Sequence, residues 1–276
     1  MRVAVTGARG FIGRHVLGEL ARRDVEVIAT ERPGVVRERP APGNVRWIAL
    51  DMARPPENPF VALANPDVLL HLAWNGLPNY RSLHHFESEL PRQYGFLSSV
   101  IRGGLPALVT AGTCFEYGQQ SGPLAANLAT RPTNPYGFAK DVLRKQLQYL
   151  KAVHPYKLTW ARLFYMYGDD QPGTSLFAAL KAAVAAGHNE FPMSGGEQLR
   201  DYLPVTEVAR RLVDLAMNPG DPGPINLCSG QPVSVRRLVE GWIGQNGWKI
   251  QPKYGDLPYP EFEPMAFWGD SADARR

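Results

Sequence analysis

The chain of 276 residues is 44% hydrophobic and 20% charged, enough for a substantial core and too apolar for wholesale disorder. Its +4 formal charge comes from scattered basic residues, which suits an anionic small molecule and excludes the clustered patch that a nucleic acid requires. Cys114 and Cys228 lie far apart in the sequence and share no metal-ligand spacing with a second Cys or His pair, so neither a disulfide framework nor a zinc site is indicated; no apolar run approaches the ~18 residues of a membrane span, and a soluble cytoplasmic protein with no metal and no membrane partner is expected.

The first strand, Arg2 to Thr6, runs straight into Thr6-Gly7-Ala8-Arg9-Gly10-Phe11-Ile12-Gly13, which leaves no room for a signal peptide. A helix follows, with Phe11, Ile12, Val16 and Leu20 on its apolar face. A glycine turn alone carries little information, but one set between the first strand and the first helix points to a dinucleotide. Gly7 permits the tight turn, Gly10 lets backbone approach a pyrophosphate, and Gly13 allows close helix–strand packing. The second strand, Val25 to Thr30, ends at Glu31-Arg32. A carboxylate there accepts ribose hydroxyls, whereas an arginine pairs with a 2′-phosphate. Arg9 offers a second guanidinium to the same phosphate, so NADP(H) is favoured, with NAD(H) the alternative.

Further strands are expected at Trp47 to Leu50, Asp67 to Leu72, Ala107 to Ala111 and Lys157 to Arg162. Their alternation with helical segments predicts a doubly wound α/β fold around a parallel sheet. VLLHLAW and LTWARLF are nearly continuously apolar, as strands covered on both faces are. After Gly168 the texture changes: a helix over Ser175 to Gly187, a Gly/Pro-punctuated stretch, a second helix over Val205 to Met217, then closely spaced prolines. This reads as a dinucleotide-binding domain over 1–164 and a mainly substrate-binding lobe over 165–276, with 196–217 returning to the first domain.

Asn134-Pro135-Tyr136-Gly137-Phe138-Ala139-Lys140 opens another helix, whose i, i+4 spacing puts Tyr136 and Lys140 on one face. A tyrosine hydroxyl, near pKa 10 when unperturbed, needs a neighbouring cation to exchange protons at neutral pH, and Lys140 can supply one. Thr113, at the end of the fifth strand, can hold a substrate oxygen beside the tyrosine.

A Tyr-x-x-x-Lys pair is common by chance. The glycine loop, Thr113 within GTCFEYG, and YGFAK, in that order, resemble the extended short-chain dehydrogenase/reductase family, also called the NAD-dependent epimerase/dehydratase family. HLAW, RLFYMYG, RDYLPVTEVA and NLCSG are similar to its later landmarks. The resemblance implies a Rossmann domain binding NAD(P), a smaller lobe holding a nucleoside diphosphate sugar, and a homodimer. Carried over, Thr113 orients the reacting oxygen, Tyr136 is the acid/base, and Lys140 contacts both the tyrosine and the nicotinamide ribose. Asp51 and Met52 fall beside the adenine, Leu72 and Ala73 beside the cofactor, Arg200 at the substrate diphosphate, and Tyr165, Phe191 and Trp268 near the substrate.

Two departures bear on the reaction. Relatives that dehydrate follow the threonine with an Asp-Glu pair, and combined epimerase-reductases place a cysteine two residues after the catalytic hydroxyl. Here Cys114 and Phe115 stand instead, and Cys114 reads as a small buried apolar residue. NADPH-dependent reduction of a 4-keto-6-deoxyhexose is the leading expectation. A 4-epimerase with tightly held NAD is the alternative, and a non-catalytic nucleotide sensor comes third.

Overall fold

Seven parallel strands form the central sheet of the computed structural model, which describes residues 1–34, 43–173, 175–261, 263–270 and 272. They are β1 (Arg2–Thr6), β2 (Glu26–Glu31), β3 (Val45–Ala49), β4 (Val68–His71), β5 (Ala107–Thr113), β6 (Lys157–Leu163) and β7 (Gly223–Leu227). Their order across the sheet is β7-β6-β5-β4-β1-β2-β3. The order reverses between β1 and β4, and a crevice at such a switch point is where doubly wound sheets bind ligands.

Side chains alternate between the two faces of each strand. Val3 and Val5 of β1 pack on one side with α1 (Phe11–Leu20) and with Val208, Leu212 and Val213 of the later helix Val205–Met217. Ala4, Ile28 and Leu69 pack on the other with Phe96 and Leu97 of α2 (Leu90–Arg102) and Leu143 and Leu147 of α3 (Pro135–Val153). The chain thus returns to the first layer after residue 204. A separate aromatic-rich core joins Leu180 of α4 (Leu176–Ala185), Phe191, Met193, Ile250, and Val239 and Trp242 of α6 (Val235–Asn246); Val205–Met217 is α5.

Six strands lie where the hydropathy pattern places them. The seventh, GPINL, was not anticipated, because Gly223 and Pro224 resemble a turn. It is an edge strand paired only with β6, and an edge tolerates a proline that a central strand would not. β5 runs two residues beyond Ala111 and carries Thr113 into the sheet. Among the described residues no helix is long and apolar enough to cross a membrane, and no group of three His, Cys, Asp or Glu could hold a metal ion.

Candidate active site

The β1–α1 loop is built around two glycines. Gly7 has φ +70°, and a Cβ there would stand 2.7 Å from the backbone nitrogen of Ala73. A Cβ on Gly13 would stand 2.2 Å from the Gly7 carbonyl oxygen, so α1 seats directly on the loop. The Gly10 N–H donates to that carbonyl at 2.9 Å and Gly10 caps α1, whose first amides have no partner inside the helix. Such a cradle of bare backbone at a helix N-terminus fits the diphosphate of a dinucleotide.

In front of the loop lies a cleft of about 390 Å³, within the usual size of a ligand site. Gly7, Arg9, Gly10, Glu31, Arg32, Asp51, Met52, Leu72 and Ala73 all line it. Phe11, Ile12 and Gly13 stand just behind, at the start of α1. At its adenosine end Arg9 does not project freely. Its Nε donates to Glu31 at 2.8 Å, its terminal nitrogen donates to the same oxygen, and its guanidinium lies 4.6 Å from the centre of the Trp47 ring. The Glu31 side chain is 9% exposed. Arg32 donates to the side-chain oxygen of Asn75. Both arginines thus have acceptors within the protein.

Behind Trp74, which lines the cleft, Asn134 accepts the Gly137 N–H at 2.8 Å and Pro135 occupies the first turn, which fixes the start of α3 and so the directions of Tyr136 and Lys140. The Tyr136 ring is enclosed by His85, Tyr80, Trp74 and Phe115, with ring centroids 5.3, 5.6, 5.9 and 6.4 Å away. Burial raises its pKa, and Tyr80, Glu116 and Cys114 add to that; a hydrogen bond with Thr113 draws it back. Lys140 donates from Nζ to the Ala111 carbonyl at 2.8 Å and lies 4.1 Å from the centre of the Trp74 ring. Burial brings its pKa down to about 7, against the opposing pull of Glu116 and Glu89. The expected standing cation beside the tyrosine is, in this geometry, a buried amine poised to change charge near neutrality. Cys114 is 5% exposed, and burial pushes its thiol far above the ordinary range, so it holds its proton.

Beyond Phe115, whose ring centroid is 6.5 Å from that of Tyr165, lies a second corner. Arg200 is 3% exposed, and its guanidinium lies 4.5 Å from the centre of the Phe267 ring. Glu263 accepts from its Nη2 at 2.9 Å and its Nε at 3.2 Å. The buried hydroxyl of Tyr165 has no hydrogen-bond partner among the described residues. Phe191 belongs to the C-terminal aromatic core, and Trp268 sits opposite Pro123 on a short strand, Phe267–Gly269.

A sequence model described as the NAD dependent epimerase/dehydratase family matches residues 3–228. The chain belongs to that family. It is 33% identical over 270 residues to the dTDP-6-deoxy-L-talose 4-dehydrogenase (NAD(+)) of Aggregatibacter actinomycetemcomitans, covering 98% of this chain and 99% of that protein. It is 28% identical to the dTDP-6-deoxy-L-talose 4-dehydrogenase (NAD(P)(+)) of Kitasatospora kifunensis, over 94% of this chain and 83% of that one. Among solved structures, MoeE5 in complex with UDP-glucuronic acid and NAD superposes with a TM-score of 0.83 at 27% identity, covering 100% of this chain and 91% of that one.

In this family member several site residues escaped sequence reasoning. Trp74, Asn75, Glu89, Arg92 and Gln93 line the cleft, yet Glu89, Arg92 and Gln93 come from the start of α2, far along the chain from the glycine loop. Tyr80 and His85 enclose Tyr136 from a segment without periodicity. Glu263 reaches Arg200 across 63 residues. Only Trp74, adjacent to Leu72-Ala73, had a local signal.

Proposed function

We propose that the protein exchanges a hydride at C4 of a nucleoside diphosphate 6-deoxyhexose, reducing the 4-keto sugar or, in reverse, oxidising the 4-hydroxyl. The observation that carries this reading is that Tyr136 and Lys140 both pack against Trp74, a residue lining the cleft, with Thr113 hydrogen-bonded to Tyr136 and no second acid or base at Cys114 or Phe115. The 4-dehydrogenase activity in the names of the two relatives above supports it.

In this reading the amides of Phe11 and Ile12, unpartnered within α1, hold the cofactor diphosphate, which Gly7 and Gly10 let approach the backbone. Glu31 accepts from the adenosine ribose, Asp51 and Met52 bound the adenine, and Leu72 and Ala73 form the floor. The bound nicotinamide supplies or accepts the hydride. Tyr136 then donates its proton to the oxygen at C4 as that oxygen gains charge, and Thr113 fixes the oxygen's position. Lys140, now on the Ala111 carbonyl, would hold the ribose hydroxyls of a bound cofactor, where its charge would favour the tyrosinate left behind. For Arg200 to receive the substrate diphosphate Glu263 must release it, and the Tyr165 hydroxyl finds its missing partner on the sugar.

The Arg9–Glu31 pair shifts the cofactor expectation: a 2′-phosphate would meet a carboxylate that already holds the arginine meant for it. This supports NAD(H) ahead of NADP(H). A homodimer through α3 belongs to the same proposal, supported by the exposed Tyr149 and Val153, 79% and 73% accessible. Incubation with each reduced cofactor and a panel of nucleoside diphosphate 4-keto sugars tests the reading: one reduced cofactor is consumed per sugar reduced. Turnover of a sugar 4-epimer with no cofactor consumed contradicts it.

A further inference from the structure

Thr113 carries two duties at once. It ends β5 and caps the short helical turn Cys114–Tyr117 in a reciprocal capping box, with Glu116 reaching back to the Thr113 backbone. The Phe115 N–H donates to the Thr113 hydroxyl oxygen at 3.3 Å. Because that oxygen accepts from backbone, its own hydrogen is left to point outward, toward Tyr136 and the reacting oxygen.

What holds the Thr113 backbone is a buried carboxylate. Glu116 is 0% exposed, and its Oε1 accepts the Thr113 N–H at 2.9 Å and the Trp160 indole N–H at 2.8 Å. Its Oε2 accepts from Arg162 Nε at 2.7 Å, and Arg162 is 1% exposed. The neighbouring Gly112 shows how closely this cluster is fitted. A Cβ there would stand 2.1 Å from the indole nitrogen and 2.7 Å from the Glu116 Oε1, so the carboxylate reaches the strand end only across a glycine. An anion buried this deeply is costly unless fully paired, and three donors from two strands are directed at it.

We propose that Glu116 is a positioning residue: its carboxylate, locked by Trp160 and Arg162, clamps the backbone of Thr113 and so sets where the threonine hydroxyl meets the substrate oxygen. The inference rests on the acid/base reading above and extends it to a residue that touches neither substrate nor cofactor. A misplacement of about 1 Å at such a hydroxyl can cost on the order of a hundredfold in rate.

The test compares purified full-length variants. Glu116→Leu removes the clamp and is expected to lower kcat about a hundredfold, with KM and the cofactor Kd within about twofold of the parent. Glu116→Gln keeps an oxygen for the Thr113 N–H and is expected to recover at least about a tenth of the parental rate. It also removes an anion that raises both Tyr136 and Lys140, so the alkaline limb of its rate profile moves to lower pH. Leu63→Ala, at a fully buried position that does not line the cleft, supplies a matched loss of thermal stability with kcat unchanged. The inference is overturned if Glu116→Leu keeps kcat within threefold while Tyr136→Phe loses it, or if kcat, KM and Kd collapse together. Should Glu116→Leu not fold, Trp160→Phe, which removes one of the donors that lock the carboxylate, is expected to lower kcat with KM unmoved, and parental kcat there overturns the inference. Parental turnover in both Tyr136→Phe and Thr113→Val would instead bring down the acid/base reading, and the inference with it.

Discussion

Replacing Glu31 with glutamine should invert the cofactor preference. In the parent, the Glu31 carboxylate is almost enclosed and draws Arg9 onto itself from two nitrogens. A 2′-phosphate entering this corner adds negative charge beside that carboxylate. Two unit charges about 4 Å apart repel by roughly 4 kcal/mol at an effective dielectric constant near 20, and Arg9 offsets most of this, leaving ~1–2 kcal/mol. Glutamine removes the repulsion and frees Arg9 for a charge-assisted contact with the phosphate, itself about 1.5–3 kcal/mol. At about 1.4 kcal/mol per tenfold, NADPH affinity should rise on the order of a hundredfold. NADH, losing its charged ribose acceptor, should bind about tenfold more weakly. Fluorescence titrations with both cofactors at physiological ionic strength read the ratio directly. A ratio that moves less than tenfold, or a parent that binds NADPH more tightly than NADH, refutes the reasoning.

Tyr136→Phe should keep cofactor binding and lose about a hundred- to ten-thousandfold in turnover, and turnover within threefold of the parent would remove Tyr136 from the chemistry. Lys140→Met should weaken cofactor binding and rate together. It should also change the pH dependence of stability in the cofactor-free protein. Between pH about 7 and the ordinary 10.5, the unfolded chain keeps a proton that buried Lys140 has lost, so native stability rises with pH across that window. Thermal midpoints from pH 7 to 10 should show this rise in the parent and a flatter curve in the variant. Gly13→Ala drives a methyl into the Gly7 carbonyl, 2.2 Å away. It should abolish detectable dinucleotide binding in calorimetry, and parental affinity would show that the loop yields.

Much of the fold was legible because its signals are local. Strand runs such as VLLH and the glycine loop announce themselves within a few residues, and the spacing of Tyr136 and Lys140 needs only the pitch of one helix. What escaped is tertiary. GPINL reads as a turn until β6 is found beside it. Arg9 reads as a phosphate ligand until Glu31 is seen to hold it, and Arg200 as an open cation until Glu263 closes on it from the far end of the chain. Glu116, three residues past Thr113, looks like an ordinary charged residue in a loop. Only the parallel pairing of β5 with β6 brings Trp160 and Arg162 to it. The spacing put Lys140 on the helix face of Tyr136, but its depressed pKa follows from burial, which spacing does not report.

The central claim is the proposal that hydride chemistry occurs at C4 alone, in which Tyr136 serves the C4 oxygen and neither Cys114 nor Phe115 supplies a proton at C3 or C5. The most direct measurement follows isotopes in the product. With NADH deuterated at the transferred position and a nucleoside diphosphate 4-keto-6-deoxyhexose in ordinary water, the product should carry one deuterium per molecule, at C4. With unlabelled NADH in deuterated water, it should carry no carbon-bound deuterium beyond a no-enzyme control. Enzyme-dependent solvent deuterium at C3 or C5, or an epimer formed without net loss of NADH, would contradict the claim.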